Sequence, residues 1–365
     1  MSADRVERVR SRMGELGVDV LLLSLGADLP WLTGYEAHES ERLTMLVLPR
    51  EGDATMVVPA LEEPKVAAVS DVATRPWTET EDPVAIVASL AGPSARSVAV
   101  SDRTWAMFVL ALQAAMPAAT LRPSSTVVAP LRARKDAAEL DALRRASAAA
   151  DAVAGALLRG EISMIGRREV DVSAEIAQRL RDEGHTRVGF SIVGSGPNAA
   201  SPHHDAGERV IAEGESVVCD FGGWFGDGGY CSDITRTVFT GDPPAEFVEL
   251  YGVLQQAQAA GVAAATVGTP CEDVDRAARS IIDDAGYGDY FIHRTGHGIG
   301  LEVHEHPYLV RGNDEPLAPG NAFSVEPGIY VPGRWGARIE DIVVATDAGP
   351  TPLNAADHDL HVVEA

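Results

Sequence analysis

The first 130 residues place their apolar residues in short blocks of two kinds. In ADRVERVRSRMGEL (Ala3 to Leu16) they recur three and four apart, which predicts an amphipathic helix. An unbroken apolar run from Asp19 to Ser24 predicts a strand. Leu43 to Pro49 and Ala54 to Pro59 predict a hairpin around an REGD turn. Val98 to Ser101 adds a strand and Trp105 to Met116 a helix. Helices and strands interleave here as in a small α/β domain, residues 1–130, and PSSTVVAPLRARK (123–135) is the expected junction.

From residue 131 to 365 the pattern changes. Asp136 to Leu158 is a long Ala-rich helix with Asp136 as its N-cap, and Glu169 to Arg181 a second helix with Val172, Ile176 and Leu180 along one stripe. Arg187 to Val193 predicts a strand, and a Gly/Pro/Asn loop then leads to His203 and His204. After a hairpin come two more helices (Pro244 to Val267, Cys271 to Ala285), the segment FIHRTGHGIGLEVHEHP, and two closing strands, Ala322 to Tyr330 and Gly336 to Thr346. Two rounds of helix, helix, strands suggest an internally duplicated α+β domain.

The hairpin carries the first chemistry. VVCDFGGWFGDGGYCSDITRT (217–237) has one aspartate on each arm, Asp220 and Asp233. A turn at Gly226-Asp227 makes Asp220 face Asp233; a turn at Asp227-Gly228, the better two-residue hairpin dipeptide, makes it face Thr235, diagonal to Asp233. Either pairing puts both carboxylates on one face, their Cβ atoms about 5 to 8 Å apart. Val217, Val218, Cys219 and Phe221 surround Asp220 with apolar residues, so the pair is expected to be at least half buried. Only Arg236 within the hairpin is basic, and a cation is the natural way to hold two like charges together.

Composition narrows the class. The chain has 365 residues, 45% hydrophobic, with 54 acidic against 30 basic side chains and a net charge of −24. That excess argues against a nucleic-acid partner and suits divalent cations. No apolar run is long enough for a membrane span, and the N-terminal segment is charged and amphipathic, so a cytoplasmic protein is expected. Cys219, Cys231 and Cys271 form no CxxC pair and are expected to be small buried side chains.

Further candidate ligands lie downstream. Glu326 precedes Pro327-Gly328, which breaks a strand and leaves the carboxylate at a rim; Glu340 follows in ARIEDIVVA, with Arg338 two residues away on the same face. His297 sits among Gly296, Gly298 and Gly300, which permit close backbone approach. His304 and His306 share a face, with Glu305 opposite, and the seven-residue separation of His297 from His304 is not the HExxH of a one-zinc protease. Two Asp, two Glu and one His suit two divalent ions, Mn²⁺ or Co²⁺ first, with Zn²⁺ as the other option. A pair of ions about 3.5 to 4 Å apart generates a bridging hydroxide at neutral pH and stabilises an oxyanion.

The ordered set DFG…GYCSDITRT, RTGHGIGLEVHE, FSVEPGIY and RIED resembles the pita-bread metallopeptidases, the family of prolidase, aminopeptidase P and methionine aminopeptidase. The resemblance spans about residues 136 to 350, and PWLTGY (30–35) is similar to a motif of the N-terminal domain in the creatinase and prolidase branch. It implies a pita-bread catalytic domain behind a creatinase-type α/β domain. It also implies that Asp233 and Glu340 bridge two ions, that Asp220 holds one, and that His297 and Glu326 hold the other. His203, His293, His304 and Arg338 would meet substrate, Glu326 would also move protons, and His204 and His306 would be peripheral. The implied activity is an Xaa-Pro dipeptidase acting on small peptides with proline second, commonly as a homodimer. An aminopeptidase P acting on longer peptides is the alternative, and a catalytically silent binding protein the alternative of another class. Arg338 and His293, then Arg334 and Arg311, are the expected cations for the free carboxylate of a dipeptide. Many family members space the first two aspartates eleven apart; here the spacing is thirteen, with the extra residues in the glycine-rich tip, Gly223 to Gly229. That leaves the pairing and any substrate contact by Trp224 or Phe225 open.

Overall fold

The run Val20–Leu23 is buried along its whole length, as an apolar block without alternation requires, and it lies inside a six-stranded sheet. The structure is a computed structural model and describes residues 2–364. Two compact units divide the chain between Arg132 and Ala133. In the first unit the strand order is Ala73–Trp77, Thr55–Pro59, Met45–Pro49, Val20–Leu23, Ser97–Val100, Thr120–Pro123. The expected hairpin pairs antiparallel, Met45 opposite Val57, and the Ala106–Ala115 helix contributes Phe108 and Leu112 to the core beside Val20, Leu22 and Val98. The division falls within residues 123–135, of which Ser125–Ala133 is helical, and part of the PWLTGY motif lies in a short helix, Asp28–Thr33.

Among the described residues the second unit contains a four-stranded and a five-stranded sheet, each led in the chain by two helices, and a separate two-stranded ribbon. The helix Ala137–Leu158 starts in a capping box: the Asp136 carboxylate accepts from Glu139 N, and Glu139 Oε2 accepts from Asp136 N. Its small residues Ala146, Ala150 and Ala154 allow close packing, and with Leu157 it shares a core with Val172, Ile176 and Leu180 of the helix Glu169–Asp182. The same core takes Val217, Cys219, Phe221, Ile234 and Val238 from one face of the hairpin. That hairpin, Ser216–Phe225 with Tyr230–Thr240, forms a four-stranded sheet with His185–Ser195 and a parallel end strand, His361–Val363.

The helices Ala245–Ala264 and Cys271–Asp284 precede the second sheet, ordered Glu305–Leu309, Gly296–Gly298, Ala322–Val325, Asp341–Thr346, Gly349–Pro352. Neither closing strand is continuous. Ala322–Val325 ends before Glu326-Pro327, and Gly328–Val331 then pairs separately with Trp335–Arg338 before Asp341–Thr346 begins. Proline has no N–H for the ladder, so the first break falls where the sequence places Pro327. Both breaks release a carboxylate, Glu326 and Glu340.

Candidate active site

In the hairpin, Asp220 pairs with Thr235 and Phe225 with Tyr230, which is the turn centred on Asp227-Gly228. Asp233 sits opposite Gly222, diagonal to Asp220. Because strand residues alternate faces, Val217, Cys219 and Phe221 enter the helical core while Asp220, Asp233 and Thr235 point the other way. The extra tip residues do not disturb the arms: residues 226 to 229 form the turn, Gly226 and Gly229 taking positive φ. Trp224 at the tip donates from Nε1 to Leu301 O at 2.9 Å, and the Arg187 guanidinium stacks on its ring at 3.5 Å. It therefore holds the segment leading to His304.

The second sheet brings the other ligands to the same place. A Cβ on Gly296 would lie 1.9 Å from Ser324 O, and one on Gly298 2.1 Å from His306 O, so only glycine lets the His297 strand run between its neighbours. His297 donates from Nδ1 to Gly298 O at 3.1 Å, which turns Nε2 toward Asp233 Oδ2 at 3.5 Å and Glu326 Oε1 at 3.2 Å. Glu326 is steadied by Ser324 Oγ at 2.9 Å. Glu340 reaches across to the hairpin, its N–H donating to Thr235 O and its Oε2 accepting from Thr235 Oγ1 at 2.6 Å.

Arg338 is buried beneath these groups and its donors are engaged: Nε to Thr235 Oγ1 at 2.9 Å, Nη1 to the Tyr330 hydroxyl at 2.7 Å, Nη2 to Asp220 Oδ2 at 2.5 Å. Tyr330 passes its proton bond to His293 Nε2 at 2.8 Å, and His293 Nδ1 donates to Arg294 O at 2.7 Å. Arg338 Nη1 also donates to Pro202 O at 3.4 Å, so each side-chain nitrogen of Arg338 and His293 and the Tyr330 hydroxyl makes at least one hydrogen bond. Burial pushes His293 down to about 4, so it is a neutral imidazole at pH 7. His304 is pushed to about 4 as well, by burial and then by His297 and Arg294 beside it.

Asp233, His297 and Glu340 each offer a ligand atom within 4.8 Å of the others and can hold a metal ion. The surrounding chemistry fits two divalent cations. Asp220 Oδ1 is buried with no hydrogen-bond partner among the described residues. Asp233 and Glu340 are raised well above the ordinary carboxylate range, by burial first and then by neighbouring carboxylates, a crowding that cations relieve. Donors of oxygen and imidazole type, with no thiolate, match hard or borderline ions.

All nine expected site residues, Asp220, Asp233, His297, Glu326, Glu340, His203, His293, His304 and Arg338, line one cavity of about 710 Å³. Arg334 and Arg311 do not: Arg334 forms an exposed bidentate pair with Glu246, and Arg311 is exposed in a turn. His293 and Arg338, with their polar atoms engaged as above, are not free anchors for a carboxylate. Sequence reasoning missed Arg294, which lines the cavity with its guanidinium over the Tyr308 ring at 4.5 Å. Its place inside HRTGHG was the available signal. The apolar Phe190 and Val303 of the same wall were also missed.

The family description "Metallopeptidase family M24" matches residues 141–347, and "Creatinase/Prolidase N-terminal domain" matches residues 5–134. The chain is 44% identical over 365 residues to the probable dipeptidase PepE of Mycobacterium bovis, covering 99% of this chain and 96% of that protein. It is 34% identical over 372 residues to the Xaa-Pro dipeptidase of Lactobacillus delbrueckii subsp. lactis, covering 98% of each. The prolidase from Thermococcus sibiricus superposes with a TM-score of 0.92 at 35% identity, covering 100% of both chains.

Proposed function

The chain belongs to metallopeptidase family M24, with a pita-bread catalytic fold behind a creatinase-type domain, and on that premise we propose that it is an Xaa-Pro dipeptidase using two divalent ions. Asp233 and Glu340 would be shared between the ions, Asp220 would serve one, and His297 with Glu326 the other. Mn²⁺ or Co²⁺ suits these donors best. Bound there, the ions supply a water-derived nucleophile at neutral pH and offset negative charge on the attacked carbonyl oxygen.

The protein's own groups would do the rest. Glu326 stands at the rim of the carboxylate cluster, where it takes the proton of the attacking water and returns it to the leaving prolyl nitrogen. His304, neutral and beside His297, donates a hydrogen bond to the developing oxyanion. His203 is exposed on the cavity wall and orients the substrate. Phe190 and Val303 offer apolar surface to a proline ring, whose scissile nitrogen carries no hydrogen to satisfy. Arg338 organises Asp220, Thr235 and Tyr330 rather than meeting substrate.

The observation that carries the dipeptidase reading is Arg294. It is a cation on the cavity wall with no acidic partner among the described residues, and its guanidinium geometry matches a free carboxylate. The names of the two relatives point the same way. Hydrolysis of Ala-Pro, Ala-Pro-amide and Ala-Pro-Ala with Mn²⁺ tests it. Ala-Pro is expected to be cut fastest, with most of kcat/KM lost on amidation; equal rates on acid and amide would move the protein to the aminopeptidase side.

A further inference from the structure

Glu169 is fully buried, yet no step of the proposed reaction uses it. It opens the helix Glu169–Asp182, where a carboxylate is favoured by the helix dipole. Its two oxygens collect donors from one stretch of chain, Ser195 at the end of a strand through Asn198 and His204 to Gly207. Oε1 accepts from Ser195 N at 2.8 Å, Ser195 Oγ at 2.7 Å and Asn198 Nδ2 at 3.1 Å. Oε2 accepts from Asn198 Nδ2 at 3.1 Å, His204 Nε2 at 2.8 Å and, at the limit, Gly207 N at 3.5 Å.

These donors flank Pro202 and His203, the residues by which the loop reaches the cavity. Residues 201 to 209 contain no helix or strand, and the backbone bonds from Val170 N to Gly207 O and Glu169 N to Arg209 O hold only their far end. On its other side the loop is pressed against the strand Trp335–Arg338, where a Cβ on Gly336 would lie 1.9 Å from Ala199 O. The loop is thus clamped at Ala199 and tied to Glu169 by side chains at Ser195, Asn198 and His204, while Pro202 O accepts from Arg338 Nη1 at 3.4 Å. His204 is the side-chain tie adjacent to His203, and the shorter of the two bonds that flank it.

We infer that Glu169 and His204 form a tether that sets where His203 stands in the cavity, which makes His204 a positioning residue. The inference rests on the proposed contact of His203 with substrate. Without His204, one oxygen of a buried carboxylate loses its best donor and the loop gains freedom beside the reacting groups. A displacement of about 1 Å near reacting groups costs up to about 10²-fold in rate.

Kinetics of His204→Ala, His204→Gln, His203→Ala and the double variant His203→Ala/His204→Ala on Ala-Pro test the tether in the metal-loaded protein. His204→Ala is expected to lower kcat/KM about tenfold, in the same kinetic parameter as His203→Ala. His204→Gln, which can still donate to Glu169, should recover most of the loss. The double variant should be no slower than His203→Ala. Multiplying losses, or an unaffected His204→Ala, would overturn the tether while leaving the dipeptidase reading intact. An unaffected His203→Ala would instead remove His203 from the proposed reaction, and the tether's purpose with it. Should His204→Ala fold poorly, Asn198→Ala removes two donors outside the cavity and is expected to show the same non-additivity with His203→Ala.

Discussion

Arg338 donates from Nη2 to Asp220 Oδ2 at 2.5 Å, while Oδ1 of that carboxylate is buried with no hydrogen-bond partner among the described residues. One oxygen belongs to the protein and the other is free for a cation. The bond also separates two arginines by role. Arg338→Lys cannot serve Asp220, Thr235 and Tyr330 together, so kcat should fall about 10²-fold or more on Ala-Pro and Ala-Pro-amide alike. Arg294→Gln should raise KM for Ala-Pro about tenfold or more and leave the amide almost unchanged. The opposite pattern, a dipeptide-specific KM effect at Arg338, would return the carboxylate to Arg338.

Asp233 offers a ligand atom within 4.8 Å of those of His297 and Glu340. Asp233→Asn should abolish hydrolysis and lower bound metal, measured by elemental analysis after dialysis. Near-normal turnover of a metal-loaded Asp233→Asn protein is incompatible with a two-metal site. Chelation should silence the wild type, with Mn²⁺ or Co²⁺ restoring it more fully than Mg²⁺, which favours oxygen ligands.

The rings of His297 and His304 are 4.1 Å apart, but only Nε2 of His297 is aimed at Asp233 and Glu326. His304→Ala should therefore keep its metal and lose about 10²-fold in kcat, whereas His297→Ala should lose metal. Equal metal loss in both variants would make His304 a ligand.

Lys135 and Glu305 form a buried ion pair at 3.3 Å, side chains 1% and 5% exposed, and Glu305 Oε1 also accepts from Glu302 N. Removing one partner leaves the other's charge buried. Lys135→Met should cost about 3 to 5 kcal/mol in urea unfolding, and Lys135→Met/Glu305→Leu should recover much of it. A cost under about 1 kcal/mol would show that water screens the pair.

His185 is buried as a neutral ring, Nδ1 donating to Leu180 O at 3.0 Å and Nε2 accepting from Ser232 Oγ at 2.7 Å. Burial pushes it below its ordinary value, outweighing the bond to Leu180. The unfolded chain then binds the proton first. The stability held by His185 is complete above about pH 6.5 and is lost as pH falls from there through the lower folded value. His185→Gln has no charge to gain, so its unfolding free energy should fall less than wild type between about pH 7.5 and pH 5.5. Parallel curves would assign the acid sensitivity elsewhere.

The chemistry was legible because it depends on local pattern. Alternation along 217–237 put Asp220 and Asp233 on one face, apolar neighbours predicted their burial, and Pro327 marked the break that frees Glu326. The Asp136 cap and the Ala3–Leu16 helix were readable for the same reason: a cap and a 3.6-residue stripe are properties of adjacent residues. Which of two hairpin pairings forms was signalled only by the Asp227-Gly228 dipeptide, since both satisfy the alternation, and Asp220 meets Thr235 because the full four-residue tip closes as one turn. Nor could the sequence give the partners of Arg338, more than a hundred residues from Asp220, or show that Glu169 gathers a loop about thirty residues downstream. Those depend on two sheets meeting at the Thr235 to Glu340 bridge, and spacing along the chain does not specify distance between sheets. Arg294 shows the division most clearly. Its position in the motif was visible from the start, but only packing on Tyr308, away from any acidic partner, makes it a cation facing the cavity.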